Sequence, residues 1–507
     1  MDADYYYAGA LRLAAGQGSL EPYLWNYLNA PERLPAVAFA YWMPLVSLVA
    51  AGGLLLVPGL GFLGARLGFI LLAALVPPIT AHLSFRLTAR PELARLSGLL
   101  ALFPGFYLSY QTTTDAFSIS MVLGGLFLLL AFGETGWLSG KMIELRLFAL
   151  GLLAGLFHLA RADGLLWLGG AGIVGLVWFA RQRASARAPW FRLAIMGGAM
   201  LLGYALVMAP WYLRNLREWG SLMPPGNSLA MWVTIYEETM IYPASLLTPQ
   251  HWLSAGPGAH LLARWDAFAN HLQTALAVQG SIVLFPFILA GLWKLRDRAE
   301  VRLGVFLWLV TLAVMTLVFP LAGINGGFFH SGAAFQALFW AAAPLGIDAL
   351  MSGYARWRHL SQPQSMVRFM SGVLVVTCVA LSLVLYVQRV IGSEPGGWKL
   401  NASDRHYREV EQVLFNLGAQ PGDAVLVNNP PGYWLASRRP GAVIPYGDEH
   451  MLLAAARQYE IRYVVLEVNN PHQLASLYHE GPSTTDLKHL ADVGSTRIYQ
   501  VMLPGTE

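Results

Sequence analysis

Few ionisable side chains stand where apolar runs of this sequence end, and those few are the groups able to do acid–base and anion chemistry. Asp2 and Asp4 precede Tyr5-Tyr6-Tyr7, Asp115 closes Thr112-Thr113-Thr114-Asp115, and Asp163 follows Arg161 in His158-Leu159-Ala160-Arg161-Ala162-Asp163-Gly164. His330 lies in Gly326-Gly327-Phe328-Phe329-His330-Ser331-Gly332, and Arg214 in Pro210-Trp211-Tyr212-Leu213-Arg214-Asn215. A carboxylate beside hydrocarbon is costly and persists when paired or used. Carboxylates can accept a proton from an attacking hydroxyl, while Arg161, Arg214 and His330 can hold a phosphate by charge-assisted hydrogen bonds. Each residue also has a plain structural reading: Asp115 as the cap of a following helix, Asp163 as the partner of Arg161, Asp2 and Asp4 as solvated residues near a terminus, His330 as an interfacial side chain.

The elements that must position these groups are membrane helices. Of 507 residues, 56% are hydrophobic and 12% charged, about half the charged fraction of a soluble domain. Runs between charges place ten spans near 67–85, 96–112, 117–133, 147–161, 165–180, 193–211, 278–293, 303–321, 335–351 and 369–388, each close to the length that crosses about 30 Å of hydrocarbon as a helix. Basic residues fall on every second connection: Arg86, Arg90 and Arg95; Lys141 and Arg146; Arg181, Arg183, Arg187 and Arg192; Lys294, Arg296, Arg298 and Arg302; Arg356, Arg358 and Arg368. Those connections are expected to be cytoplasmic, and the turns at 112–115, 161–164 and 321–336 to face outward. This puts every candidate carboxylate on one side of a plasma membrane. Residues 40–57 are apolar enough to span, but Tyr41-Trp42 followed by Pro44 suits a helix lying at the interface.

The net charge of +4 reflects the basic loops, and no basic stripe with interleaved aromatics points to nucleic acid. The single Cys378 excludes a disulfide framework or a cysteine metal site. Three regions are expected: 1–66, an extracytoplasmic first loop with juxtamembrane helices; 67–391, a helical bundle with a long outward loop at 212–277; and 392–507, a soluble extracytoplasmic α/β domain. Strands are expected at 424–428, 442–446, 463–467 and 497–502. This last region has no glycine-rich phosphate loop leading into a helix, and its Asn428-Asn429-Pro430-Pro431-Gly432-Tyr433 stretch is either an acceptor-facing loop or a turn.

The order acidic pair, Tyr-Tyr, short helix, interfacial Tyr-Trp-x-Pro-Leu helix, two spans and Thr-Thr-x-Asp resembles the GT-C superfamily of membrane glycosyltransferases. The similarity is greatest to the protein O-mannosyltransferase and aminoarabinose-transferase-like branch (glycosyltransferase family 39-like), and more distant to the oligosaccharyltransferase catalytic subunit. It covers about residues 1–350. The resemblance implies a mostly α polytopic GT-C-like bundle with a small C-terminal α/β domain, and a family span ahead of Asp2 that is missing here. It implies a catalytic carboxylate in the first outward loop, mapping to Asp2 with Asp4 next, and a second acidic residue at Asp115. The implied activity is inverting transfer of a sugar from a polyprenyl-phosphate donor to a hydroxyl of a lipid, glycan or protein acceptor. Arg161, Asp163, Arg214 and His330 would bind the substrate phosphate, and a divalent metal is left open. A lipid or solute transporter and a catalytically silent assembly factor are the alternatives; a transporter would place its ionisable groups near the midplane and often show duplicated halves.

Overall fold

The computed structural model describes residues 2–18, 20–132, 142–182, 189–360, 362–393 and 397–502. Lys141, Arg183 and Arg187, named above for sidedness, lie outside these. The chain opens with helix α1 (Asp2–Ala14), followed by strands β1 (Leu20–Glu21), β2 (Tyr23–Leu24) and β3 (Ala36–Val37) and helix α2 (Leu45–Leu56). At 12 residues α2 is about 18 Å long, too short to cross about 30 Å of hydrocarbon, which agrees with an interfacial position for the 40–57 run. Helices α3 (Gly61–Thr88), α4 (Pro91–Ala101), α5 (Phe117–Ala131), α6 (Ile143–Ala160), α7 (Leu166–Gln182) and α8 (Pro189–Trp219) follow.

Among the described residues, seven helices are long and apolar enough to span: Gly61–Thr88, Ile143–Ala160, Ala162–Arg181, Trp190–Trp219, Ala299–Val318, Pro320–Trp357 and Pro363–Ile391. The other three expected spans form shorter helices. Near 96–112, α4 ends at Ala101 and Gly105 takes φ +61° before a short 3₁₀ turn; near 278–293, positive φ at Ser281 and Ile282 separates a π-turn from the helix Phe285–Lys294. Hydropathy registers the apolar run but not the backbone break inside it.

Helix α3 runs from the loop that carries Asp115 to the connection that carries Arg86, Arg90 and Arg95. Near its start Arg66 donates to the carbonyl and hydroxyl of Thr112 at 2.7 and 3.0 Å, in the loop that carries Asp115. Near its finish Arg86 pairs with Glu300 at 3.4 Å, and Arg298 donates to the Arg86 carbonyl at 2.9 Å. Twenty helical residues separate these arginines, about 30 Å, so the acidic loop and the basic connections sit a hydrocarbon thickness apart.

The C-terminal part builds a six-stranded sheet in the order β2-β5-β4-β6-β8-β7 from β4 (Ala424–Val427), β5 (Gly441–Val443), β6 (Ile461–Leu466), β7 (Leu487–Val493) and β8 (Thr496–Val501). β2, β5, β4 and β6 run parallel, and β8 and β7 complete the sheet antiparallel. The four expected strands are β4, β5, β6 and β8. β7 was not anticipated, nor was the edge strand β2 donated from the N-terminal segment, whose Tyr27 hydroxyl also bonds the Val443 carbonyl.

Candidate active site

Asp2, Asp115 and His330 come from the first turn of α1, the loop before α5, and the helix Phe328–Gly332, and they meet. Each presents one oxygen or nitrogen, and all three atoms lie within 4.8 Å of one another. His330 Nε2 stands 3.3 Å from Asp115 Oδ1 and 3.6 Å from Asp2 Oδ2.

Local structure fixes each arm. α1 is held by the Phe39 amide donating to the Tyr5 hydroxyl at 3.0 Å, by Tyr5 packed on Trp42 at 4.6 Å, and by Ser47 Oγ donating to the Tyr6 carbonyl at 2.9 Å. The acidic loop is tied to it directly: Thr114 Oγ1 donates to the Ala3 carbonyl at 2.8 Å. Asp115 Oδ1 accepts from the adjacent Ala116 amide at 2.6 Å, and α5 has no side-chain N-cap. Capping therefore does not account for this residue. Gly326 at φ +102° turns the chain ahead of His330 and offers its carbonyl to Nδ1 at 2.8 Å. That conformation is readily reached only by glycine.

The electrostatics of the cluster are unbalanced. A carbonyl can only accept, so His330 Nδ1 carries a proton, and a neutral ring then aims the Nε2 lone pair at two carboxylates. A proton or a cation belongs at that point. Burial and the neighbouring Asp115 raise the Asp2 carboxyl above the usual carboxylate range. For Asp115, burial pushes the same way but is outweighed by His330, the Ala116 amide and Arg161, which hold its carboxyl below that range. Burial, with Asp115 and Asp2 close by, lifts the Tyr6 hydroxyl well above its ordinary value and keeps it a neutral donor.

Two carboxylates and an imidazole whose other nitrogen donates to a backbone carbonyl form a donor set of the kind that holds a divalent cation. The residues present fit such an ion.

The cluster opens into a cavity of about 790 Å³. Asp2, Tyr6, Arg161, Asp163 and His330 line one end, whereas Asp115 lies behind His330. The other end runs between α7 and the helix Ala299–Ala313, past Leu166, Ile173, Phe306 and Val310. Phe306 and Val318, which line it, are about half exposed, at 48% and 54%. The cavity is thus charged at its head and apolar along its tail.

Arg161 Nε pairs with Asp163 Oδ1 at 3.0 Å, and Ser331 Oγ donates to Asp163 Oδ2 at 2.5 Å. Asp163 thereby orients Arg161 and ties it to the His330 helix. Two of the expected site residues are elsewhere. Asp4, two positions from Asp2 and so about 200° round the helix, accepts from Asn429 Nδ2 at 2.8 Å and ties α1 to the C-terminal sheet. Arg214 donates to the Ala38 carbonyl and stacks on Trp211 and Trp219 at 4.8 and 4.7 Å, outside the cavity lining. These contacts seat the guanidinium away from the carboxylate cluster.

Other cavity residues were not foreseen. His260 and Arg264, one turn apart on the helix Gly256–Thr274, line the polar part of the wall, with His260 stacked on Trp252 at 3.7 Å. The amphipathic stretch from about Gly258 to Leu276 was the signal that could have pointed to them.

No protein-family model and no curated protein matches the chain. Solved structures do. The apo state of ArnT from Cupriavidus metallidurans aligns over 98% of this chain and 93% of that one, at 14% identity and TM-score 0.53. The oligosaccharyltransferase AglB from Archaeoglobus fulgidus, in complex with an inhibitory peptide and a dolichol-phosphate, aligns over 94% of this chain at 14% identity and TM-score 0.51. The same enzyme tethered to an acceptor peptide containing the NVT sequon gives 13% and 0.50. The chain spans 66% of the length of AglB. At such identities the likeness is one of fold alone, in this chain a bundle with seven helices, among the described residues, long and apolar enough to span and a C-terminal sheet region.

Proposed function

We propose that this chain is a glycosyltransferase that moves a sugar from a polyprenyl-phosphate donor to an acceptor hydroxyl with inversion, at the extracytoplasmic face of a plasma membrane. The observation that carries the reading is the cavity itself. A paired-carboxylate head joined to an apolar tail between two candidate spans is complementary to a ligand with a sugar phosphate at one end and a hydrocarbon chain at the other. The fold neighbour in complex with a dolichol-phosphate holds the phosphate and hydrocarbon parts of such a ligand, without the sugar, and the basic connections at the far end of α3 favour an outward-facing head.

Asp2 is the acceptor's base. Its side chain is 34% exposed and lines the cavity, whereas that of Asp115 is 8% exposed and does not. As Asp2 takes the hydroxyl proton, the acceptor oxygen forms its bond to the anomeric carbon on the face opposite the phosphate. The bond from that carbon to the phosphate oxygen breaks, and the electron pair leaves with the phosphate. Arg161, aimed by Asp163, receives the growing phosphate charge, with Arg264 and His260 further along the wall. Asp115 positions His330 and, through Thr114, the α1 turn that carries Asp2. A divalent cation held by Asp2, Asp115 and His330 would supply a fixed positive charge for orienting substrate.

Membranes carrying the chain should transfer label from a radiolabelled polyprenyl-phosphate sugar, and Asp2→Asn should abolish the transfer while leaving the protein folded. Solute movement without transfer would identify a transporter; neither activity, in protein that binds the donor, would identify a silent relative.

A further inference from the structure

A second cavity, of about 470 Å³, lies beside the first and is lined by the N-terminal loops and the last residues of α8. Its volume is within the range of about 300 to 1,000 Å³ common to small-molecule sites. The mechanism above uses none of its polar groups.

Two of those groups are buried, and one of them has a donor left to fill. Asn26, 4% exposed, accepts from the Leu28 amide through Oδ1, while its Nδ2 has no partner among the described residues. A buried donor left unpaired is costly, a penalty that a hydrogen-bonding occupant removes. Glu21, 5% exposed, lines the same cavity on β1. Burial, only partly offset by its bond to the Tyr5 hydroxyl, raises its carboxyl to about 8, so at neutral pH it can donate as well as accept.

The remaining wall sets the class of ligand. Trp25 and Trp219 are firmly seated, Trp25 against Trp42 at 5.0 Å and Trp219 under the Arg214 guanidinium at 4.7 Å. Indole surfaces suit the C–H faces of a pyranose, and they attract an ammonium. Glu32 and Glu218, set against Arg33, leave the wall net negative and disfavour a phosphate or carboxylate. A purely apolar guest would leave Asn26 Nδ2 unsatisfied. Tyr41 lines both cavities, so the two are separated by one side chain.

We infer that this cavity is a second saccharide-binding site, taking a neutral or amino-bearing hexose residue between Trp25, Trp219 and the Asn26–Glu21 pair. If the transferase reading holds, on which this clause alone rests, the occupant is a remote residue of a glycan acceptor whose reacting hydroxyl reaches past Tyr41 towards Asp2.

The test is titration of the purified full chain in nanodiscs with the methyl glycosides of glucose, mannose and galactose and with glucosamine, followed by calorimetry and saturation-transfer NMR. Saturable binding of at least one of these, with Kd on the order of millimolar, is expected. Trp25→Ala should weaken it at least tenfold and Glu218→Gln, an exposed change that leaves the fold alone, about threefold. Asp115→Asn should leave it unchanged, and glucose 6-phosphate and glucuronate should bind at least tenfold more weakly than glucose. Failure of all four sugars to saturate, or binding indifferent to both Trp25→Ala and Glu218→Gln, overturns the site. Because binding is read without transfer, loss of transferase activity with binding intact would count against the catalytic reading and not against this one.

Discussion

Replacing Asp115 by asparagine separates a catalytic cluster from a structural one. The amide is nearly isosteric, and its oxygen can still accept from the Ala116 amide, now at 2.6 Å. What disappears is the charge. Two carboxylate oxygens within 4.8 Å repel by about 3.5 kcal/mol at an effective dielectric of about 20, whereas a protonated His330 at 3.3 Å attracts by about 5 kcal/mol, in keeping with a carboxyl held below its ordinary range. Losing the charge should therefore cost about 1.5 kcal/mol and lower the melting temperature by about 1 to 2 °C, given the entropy of unfolding of a chain this size. Activity should fall far more. Without the Asp115 carboxylate, His330 Nε2 loses its charged partner at 3.3 Å and Asp2 loses a neighbour that fixes its setting. Transfer in proteoliposomes containing labelled polyprenyl-phosphate sugar should fall by about 10² to 10⁴-fold, the usual worth of a positioned acid–base apparatus, mostly in kcat. A loss of turnover out of proportion to so small a loss of stability separates a functional charge from a structural one. A variant with turnover within threefold of the parent, or one both inactive and several degrees less stable, would refute the assignment.

Further expectations concern neighbouring groups. Arg161→Ala should raise the donor KM about 10- to 100-fold, the equivalent of one charge-assisted hydrogen bond, with Arg161→Lys intermediate; Arg214→Ala should leave that KM alone and instead lower the melting temperature, because it loses the Ala38 bond and two indole contacts. Asp4→Asn should keep turnover within a few-fold of the parent, unlike Asp2→Asn, while limited proteolysis between 392 and 502 accelerates as the Asn429 tie weakens. Purified protein should take up about one divalent ion, read by equilibrium dialysis, and His330→Ala should abolish uptake by removing one of three donors. Glu21 is held protonated to about pH 8 when folded, against an ordinary value of 4.5. The folded state thus keeps a proton that the unfolded chain gives up. Its contribution to stability is full below about pH 4.5 and is lost as pH rises towards 8, by up to about 5 kcal/mol. Chemical denaturation at pH 5 and pH 8 should show this difference, and Glu21→Gln should abolish most of it.

The sequence by itself was enough for the class of molecule and for much of its layout. Mean composition and apolar run length are local properties, and a lipid environment leaves a spanning segment little choice but helix; hence the bundle and most of its long helices could be read directly. Four strands of the C-terminal sheet announced themselves by short β-rich runs. Asp2, Asp115, Arg161, Asp163 and His330 were reached because ionisable residues beside hydrocarbon are rare enough to stand out. Only the tertiary structure decided which of them share a site. Asp2 and Asp4 are alike in type and two residues apart, and it is the helical rotation of α1, fixed by Phe39 and Ser47, that turns one towards His330 and the other towards Asn429. Arg214 looked as useful as Arg161 until Trp211, Trp219 and Ala38 occupied it. His330 meets Asp115 across 215 residues, and β2 joins a sheet more than 400 residues away. Contacts at that separation are set by how whole helices pack, which no local window of residue types contains.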